Sequence, residues 1–221
     1  MRLRNKKWTH DFLENHAEFL IDWTEDKKIN SINFFQNSQP ISLEIGSGKG
    51  QFLIENALQN PGINFIAMEK EKTVVGVALK KAIQTLGKEK MTNLKFLNKF
   101  AENLLMMFEP NSVDQIYLNF SDPWPKTRDA KKRLTHVNFL EIYSQILKPN
   151  GILQLKTDND GLFEFSLEQL KETKNWKLLV ETKDLYDDQK LLIGNIPTEY
   201  ETKFNQLNKN INMYRIQNVK K

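Results

Sequence analysis

The sequence contains no cysteine. That excludes a disulfide framework, thiolate metal sites and a cysteine nucleophile, and it fits a reducing compartment. Histidine is nearly as scarce, with three in 221 residues. His10, His16 and His136 are scattered along the chain, so they read as structural or surface residues, and no metal is expected. Long apolar runs are missing as well: no stretch approaches the ~20 residues of a membrane-spanning helix. The basic opening, MRLRNKKWTHDFLENH, meets Asp11 and Glu14 before any apolar segment of the kind a secretory leader needs. The expectation is a soluble, cytoplasmic protein without a membrane partner, monomeric or weakly oligomeric. Internal repeats and low-complexity tracts are also absent.

What is present is ordinary for a globular chain, with 39% hydrophobic and 27% charged residues. The length suits one domain over 1–221, with 1–25 as a basic N-terminal arm and helix. The net charge of +4 is modest, but it is unevenly placed. Arg2, Arg4, Lys6 and Lys7 crowd the start without an acid, and Lys126, Arg128, Lys131, Lys132 and Arg133 face only Asp129. Two concentrated basic patches suggest a polyanionic partner.

Short apolar runs alternate with helical periodicity. ISLEI (41–45), INFIAM (63–68), LKFL (94–97), VDQIYLNF (113–120) and GILQLK (151–156) read as strands. Helical spacing lies between them, in 51–60, 72–87, 101–107 and 136–147. Strands that are apolar nearly throughout are expected in a parallel sheet covered on both faces. A helix near 161–171, the strand WKLLVET, a helix from about 198 and the strand NMYRIQ follow. The pattern predicts an α/β fold, a Rossmann-like doubly wound, mostly parallel sheet with an antiparallel C-terminal edge. A helical arm over about 9–22 precedes it.

The stretch ISLEIGSGKGQFL places Glu44 at a strand end, then Gly46, Gly48 and Gly50 in a turn, then a helix. A phosphate-binding P-loop needs a different spacing before its Gly-Lys-Ser/Thr, and a dinucleotide loop needs its third glycine one residue later. An acid before G-x-G-x-G, with a second acid closing the next strand, suits S-adenosylmethionine, whose cation and ammonium group tolerate carboxylates that would repel a pyrophosphate. Glu69, closing FIAME, is that second acid.

The fourth strand runs into Ser121-Asp122-Pro123-Trp124-Pro125, at the sheet end where open α/β folds bind ligands. The two prolines stiffen the loop and disfavour helical geometry at Asp122 and Trp124, presenting Asp122 toward the cleft. Trp124 serves either as packing under the loop or as a surface on which an unstacked base lies. Thr198-Glu199-Tyr200-Glu201 has the T-x-x-E pattern of a capping box, with Thr198 as N-cap, and Asp158 ends the fifth strand as either a turn residue or a site residue.

EIGSGKGQF, NFSDPWPKTRDAKKRLTHVNFLE, GILQLKTDN and IPTEYETKF together resemble the bacterial tRNA (guanine-N7-)-methyltransferase family, over nearly the whole chain. The resemblance implies a class I methyltransferase fold, S-adenosylmethionine as methyl donor, tRNA as partner and 7-methylguanosine in the variable loop as product. It implies cofactor contacts at Glu44, Gly46, Gly48, Glu69 and Asp122, with Asp122 also catalytic. It further implies substrate contacts at Lys126, Asp158, Thr198, Glu199, Tyr200 and Glu201, and it makes Arg128, Lys131, Lys132 and Arg133 contacts to the RNA backbone. One departure stands out: where the family carries an acid or amide facing the adenine, this chain has Phe100, flanked by Asn98 and Glu102, and that contact stays unassigned. The rival reading is an RNA-binding protein that keeps the fold without catalysing.

Overall fold

The computed structural model describes residues 6–220, so Arg2 and Arg4 of the basic arm lie outside the described residues. In chain order the elements are α1 (Trp8–Glu14), α2 (Ser31–Phe35), β1 (Ile41–Ile45), α3 (Gln51–Gln59), β2 (Asn64–Met68), α4 (Lys72–Leu86), β3 (Leu94–Leu97) and α5 (Leu104–Met107). Then come β4 (Val113–Asn119), α6 (Val137–Ile146), β5 (Leu147–Thr157), α7 (Asp160–Lys171), β6 (Trp176–Thr182), α8 (Gln189–Leu192), α9 (Glu199–Gln206) and β7 (Asn212–Asn218). The seven strands form one sheet in the order β3-β2-β1-β4-β5-β7-β6. The first five are parallel neighbours, and β7 pairs antiparallel with both β5 and β6. The antiparallel C-terminal edge therefore has a definite order: β7 is wedged one place in, and β6, the outermost strand, runs in the direction of the parallel set.

Side-chain alternation explains how one sheet makes two cores. On β2, Ile66 and Met68 join the cluster that includes Leu43, Ile116, Leu140 and Tyr143, whereas Phe65 and Ala67 join Leu53, Val75, Leu79 and Phe96 on the opposite face. Helices cover both faces, so β1 and β2 are buried at every residue, as apolar parallel strands require. At the outer edge β6 has exposed positions along its length.

Local departures from the sequence reading have clear causes. The N-terminal arm is not one helix over 9–22: α1 ends at Glu14, a 3-10 turn spans Ala17–Phe19, and the Ile21 N–H donates to the Phe96 carbonyl at 2.8 Å. The chain there covers the free side of β3, a common way to protect a sheet edge. α1 docks on α4 where Gly76 meets Thr9 so closely that an added Cβ would lie 2.7 Å from Thr9 Cβ. β5 starts at Leu147 rather than 151, because Lys148 to Asn150 bend past Val113 with a register shift. The four- and five-residue helices α2 and α8 were not foreseen, since they are too short to show a periodic pattern.

Candidate active site

Strand order reverses between β1 and β4, since β1 leads through α3 to β2 on one side while β4 lies on the other. Ligands of open α/β sheets bind at the carboxyl ends of the strands at such a point. A cleft of about 710 Å³ opens there, lined by the glycine turn, the start of α4, Glu44, Asn119, Phe120 and the first turn of α9.

The turn Gly46-Ser47-Gly48-Lys49-Gly50 carries φ values of +79°, +55° and +77° at its glycines. Its entry is pinned by the Gly46 and Ser47 N–H groups, which donate to the Met68 carbonyl at 2.9 and 3.0 Å. Gly50 is required twice over, because a Cβ on it would also approach Ala78 Cβ to 3.3 Å. Glu69 braces the same turn: one carboxylate oxygen accepts from the Gly48 N–H at 3.2 Å and the other from the Glu71 N–H at 3.1 Å.

Glu44 is buried at the floor of the cleft. Its Oε1 accepts a hydrogen bond from Asn119 Nδ2 at 2.8 Å, and its Oε2 has no partner among the described residues. Burial pushes the carboxyl up to about 8, only partly offset by Asn119 and Lys156, while Glu69 pushes the same way as burial. Asn119 Oδ1 and Ser47 Oγ are likewise buried and unpartnered. Unmet acceptors in a dry site are costly and call for a donor.

The opposite wall is α9. Thr198 and Glu201 close the foreseen capping box, and Glu201 is then fully buried against Lys156 of β5, with Nζ to Oε2 at 2.8 Å. Glu201 Oε1 accepts from Asn195 Nδ2 at 2.7 Å and from the Tyr186 hydroxyl at 3.3 Å. Lys156 Nζ also donates to Asn195 Oδ1 and to the Ile196 carbonyl. Burial lowers the Lys156 ammonium below its ordinary value, and Glu201 draws it back up. Outside the wall, Glu199 pairs with Lys81 of α4 at 2.5 Å and with Lys49 of the glycine turn at 3.5 Å, spanning the cleft. Lys81 is the main reason its carboxyl lies below the usual range.

Residues 38–214 match a protein family described as "Putative methyltransferase". The chain is 57% identical over 215 residues to the tRNA (guanine-N(7)-)-methyltransferase of Mesoplasma florum, covering 96% of each chain. It is 55% identical over 222 residues to the protein of that name from Mycoplasma capricolum, covering both chains completely. The chain belongs to the tRNA (guanine-N7-)-methyltransferase family. Among solved structures, the crystal structure of the 16S rRNA methyltransferase KamB superposes with a TM-score of 0.60 at 14% identity, covering 86% of this chain and 95% of that one, a likeness of fold.

Against that family's pattern, the structure brings Glu44, Gly46, Gly48, Glu69, Thr198, Glu199 and Tyr200 together around one cleft. It does not bring in the rest. Asp122 is exposed on the loop beyond Phe120 and is not part of the cleft wall. Asp158 is half-buried outside the cleft, with Lys209 Nζ at 3.8 Å. Glu201 lies outside the cleft wall, with its carboxylate buried in the Lys156 network. None of Asn98, Phe100 and Glu102 lines the cleft: Phe100 and Glu102 are exposed, and the Asn98 amide donates to the Glu69 and Lys70 carbonyls at 2.9 Å each. Glu71 and the first turn of α4, Lys72 to Val74, line that side of the cleft instead.

The basic loop divides in two. Lys126, Arg128 and Lys131 are exposed around a 3-10 turn, Thr127–Lys132. Arg133 is not free for RNA: its Nε and Nη2 donate to the carbonyls of Pro123 and Trp124 at 3.0 Å, and its guanidinium lies 4.2 Å from the Phe165 ring centre. Lys132 pairs with Asp129 at 2.7 Å and covers the Trp124 ring at 4.7 Å. Trp124 itself takes a left-handed φ of +42°, where the following proline predicted an extended one. Its ring lies outside the cleft wall, beneath Lys132.

Asn119, Phe120, His10 and Lys203 line the cleft without having been singled out as site residues, and His10 stands exposed at its rim. Asn119 had a readable signal, since it is a polar residue closing the fourth strand, two residues beyond Tyr117, the cross-strand partner of Glu44. His10 had none, because only the docking of α1 on α4 carries it there.

Proposed function

We propose that this chain transfers a methyl group from S-adenosylmethionine to N7 of a guanine in the variable loop of tRNA, forming 7-methylguanosine. The observation that carries the reading is the unpartnered Glu44 Oε2 beside the unpartnered Asn119 Oδ1 at the strand switch point. Those two acceptors fit an ammonium group. Glu69, which already orders the glycine turn, keeps lone pairs for hydroxyl donors such as those of a ribose. When bound, the cofactor supplies a methyl group on a cationic sulfur.

Guanine N7 offers an in-plane lone pair and has no proton to lose, so the chain needs no strong general base. Its work is to align N7, exclude water and compensate charge. Asp122, on the loop next to Phe120, is proposed as the catalytic carboxylate that receives the guanine edge from outside the cleft, with Thr198 and Tyr200 holding the base from α9. Guanine presents N1–H and N2–H donors to a carboxylate, whereas adenine presents a mismatched edge, and an unpaired buried group costs about 1–3 kcal/mol. A cytoplasmic setting accords with a tRNA substrate, and no helix among the described residues is long and apolar enough to cross a membrane.

The test is transfer of labelled methyl from S-adenosylmethionine to unmodified tRNA followed by nucleoside analysis. Label in 7-methylguanosine is expected, and label in any other nucleoside would overturn the N7 assignment. The divided basic loop gives a second expectation. Replacing Lys126, Arg128 and Lys131 together with glutamine should reduce the slope of log binding constant against log salt by about 2 to 3. Replacing Arg133 should instead loosen the loop and lower the melting temperature with little change in that slope. A triple variant with an unaltered slope would mean these three side chains touch no phosphate.

A further inference from the structure

Phe120, from the turn after β4, meets Tyr200 and Phe204 of α9 at the cleft. Phe120 and Tyr200 are 6.2 Å apart between ring centres, Phe120 and Phe204 6.1 Å, and Tyr200 and Phe204 6.2 Å. The interplanar angles are 24°, 26° and 24°. Equal spacings exclude a column, in which the outer pair would be twice as far apart. The rings instead form a compact three-membered aromatic platform with their planes within about 26° of one another. Leu185, Ile211 and Met213 pack against Phe120 and Phe204.

The platform is held at a conformational cost. Phe120 has a φ of +52°, uncommon for a bulky non-glycine residue, and its N–H is pinned to the Lys156 carbonyl at 2.8 Å. Tyr200 remains 52% exposed, so part of the aromatic surface is open to a visitor. Phe120 and Tyr200 line the same cleft as Glu44, Asn119 and the glycine turn, which places the rings beside the proposed methyl donor site.

We propose that this platform receives the target guanine and prefers its methylated, cationic form to the neutral base. The inference rests on the N7 reading above. The N7 lone pair forms the new nitrogen–carbon bond, the electron pair of the broken carbon–sulfur bond returns to sulfur, and the positive charge passes to the purine with no proton transferred. A neutral guanine gains ordinary stacking from the ring faces, whereas a purinium is also attracted by their negative quadrupoles. An interaction that strengthens as charge develops accelerates the chemical step instead of merely tightening binding. Phe120, Tyr200 and Phe204 therefore act on the transition state, and they also slow the departure of the product.

The test compares, without cofactor, the binding of an unmodified tRNA and of the same tRNA carrying 7-methylguanosine. The wild-type protein should bind the methylated tRNA about 5-fold tighter. Tyr200→Leu and Phe120→Leu keep apolar contact but remove the quadrupole, so their ratio should fall to about one, while Tyr200→Phe retains the preference. In a single turnover the leucine variants should transfer methyl more slowly by no more than about 5-fold, since the transition state carries only part of the product's charge, with a smaller change in affinity for unmodified tRNA. Melting temperatures establish that each variant is folded, and the half-exposed Tyr200 provides a substitution independent of the strained Phe120 position. Equal wild-type affinity for the two tRNAs, or leucine variants with an unchanged ratio, would overturn the platform. A wild-type protein that forms 7-methylguanosine yet shows a flat ratio loses only the platform, whereas formation of another nucleoside removes the N7 reading itself.

Discussion

Lys156→Met should destabilise the protein by about 3–5 kcal/mol, the range for breaking a buried ion pair from one side. The loss does not come from the attraction alone. Glu201 is 0% exposed, and without the Lys156 ammonium its carboxylate keeps only Asn195, Tyr186 and the Thr198 N–H for company. A charge buried in that way either protonates or drags α9 out of place. The double variant Lys156→Met/Glu201→Gln removes both charges and should recover much of the stability. The amide oxygen can still accept from Asn195 and Tyr186 while its NH2 faces the acceptors that Lys156 leaves free, with loss of the Thr198 N–H bond. Urea denaturation of the two singles and the double measures the coupling, and additive losses would mean that the pair does not act as a unit. Activity should follow the same order, since α9 carries Glu199 and Tyr200 into the cleft wall. Michaelis constants for tRNA should rise more than those for the cofactor.

Glu44→Gln should separate stability from function. With the folded carboxyl near 8 and its ordinary value at 4.5, the folded protein keeps a proton that the unfolded chain has released between those two pH values. Stability of the unliganded wild type therefore falls as pH rises through that window, by at most about 1.4 kcal/mol per pH unit, and levels off above it. Glutamine cannot ionise, so the variant should show no such fall and should melt higher than the wild type at pH 8. It should nonetheless bind S-adenosylmethionine at least about 100-fold more weakly, having lost a carboxylate opposite an ammonium. At pH 6.5 wild-type binding should release a proton to the buffer, detectable by calorimetry in buffers of different ionisation enthalpy, and the variant should release none. The ligand's own amino group titrates at about 7.7–8.0, which is why the comparison is made below that range and against the variant. Wild-type binding without proton release would place the cofactor's ammonium elsewhere.

Much of the sheet could be read directly from the chain because each of its strands is a compact β-rich run bounded by turn residues or helical periodicity. The glycine turn and its two acids were equally legible, since a tight strand-to-helix turn demands glycine at fixed places. Other features leave no local trace. Phe120 and Trp124 take left-handed backbone conformations that nothing in their side chains advertises. The pattern T-x-x-E announces a helix cap at Thr198, but the counter-ion that makes Glu201 a buried structural charge lies 45 residues upstream at Lys156. Arg133 illustrates the opposite error: a basic run suggests a polyanion, yet one member spends its guanidinium on two carbonyls of its own loop. Charge counted along a sequence does not distinguish a contact made outward from one made inward. The same gap separates Asp122, which the motif points at the cofactor, from the exposed loop position where it stands.

The placement of β7 between β5 and β6 sets the order of assembly. In the sheet β6 has no neighbour except β7, so it joins only through a strand that follows it in the chain, either as a pair with β7 or after β7 has docked on β5. The glycine turn, Glu44 and Glu69 belong to elements that precede this rearrangement, whereas α9 and its aromatic face lie on the segment between the two late strands. During synthesis the cofactor half of the cleft can close once β4 has paired with β1, but the wall facing the RNA must wait for the last strand of the chain. A nascent chain would thus acquire its donor pocket before it acquires a place for the acceptor.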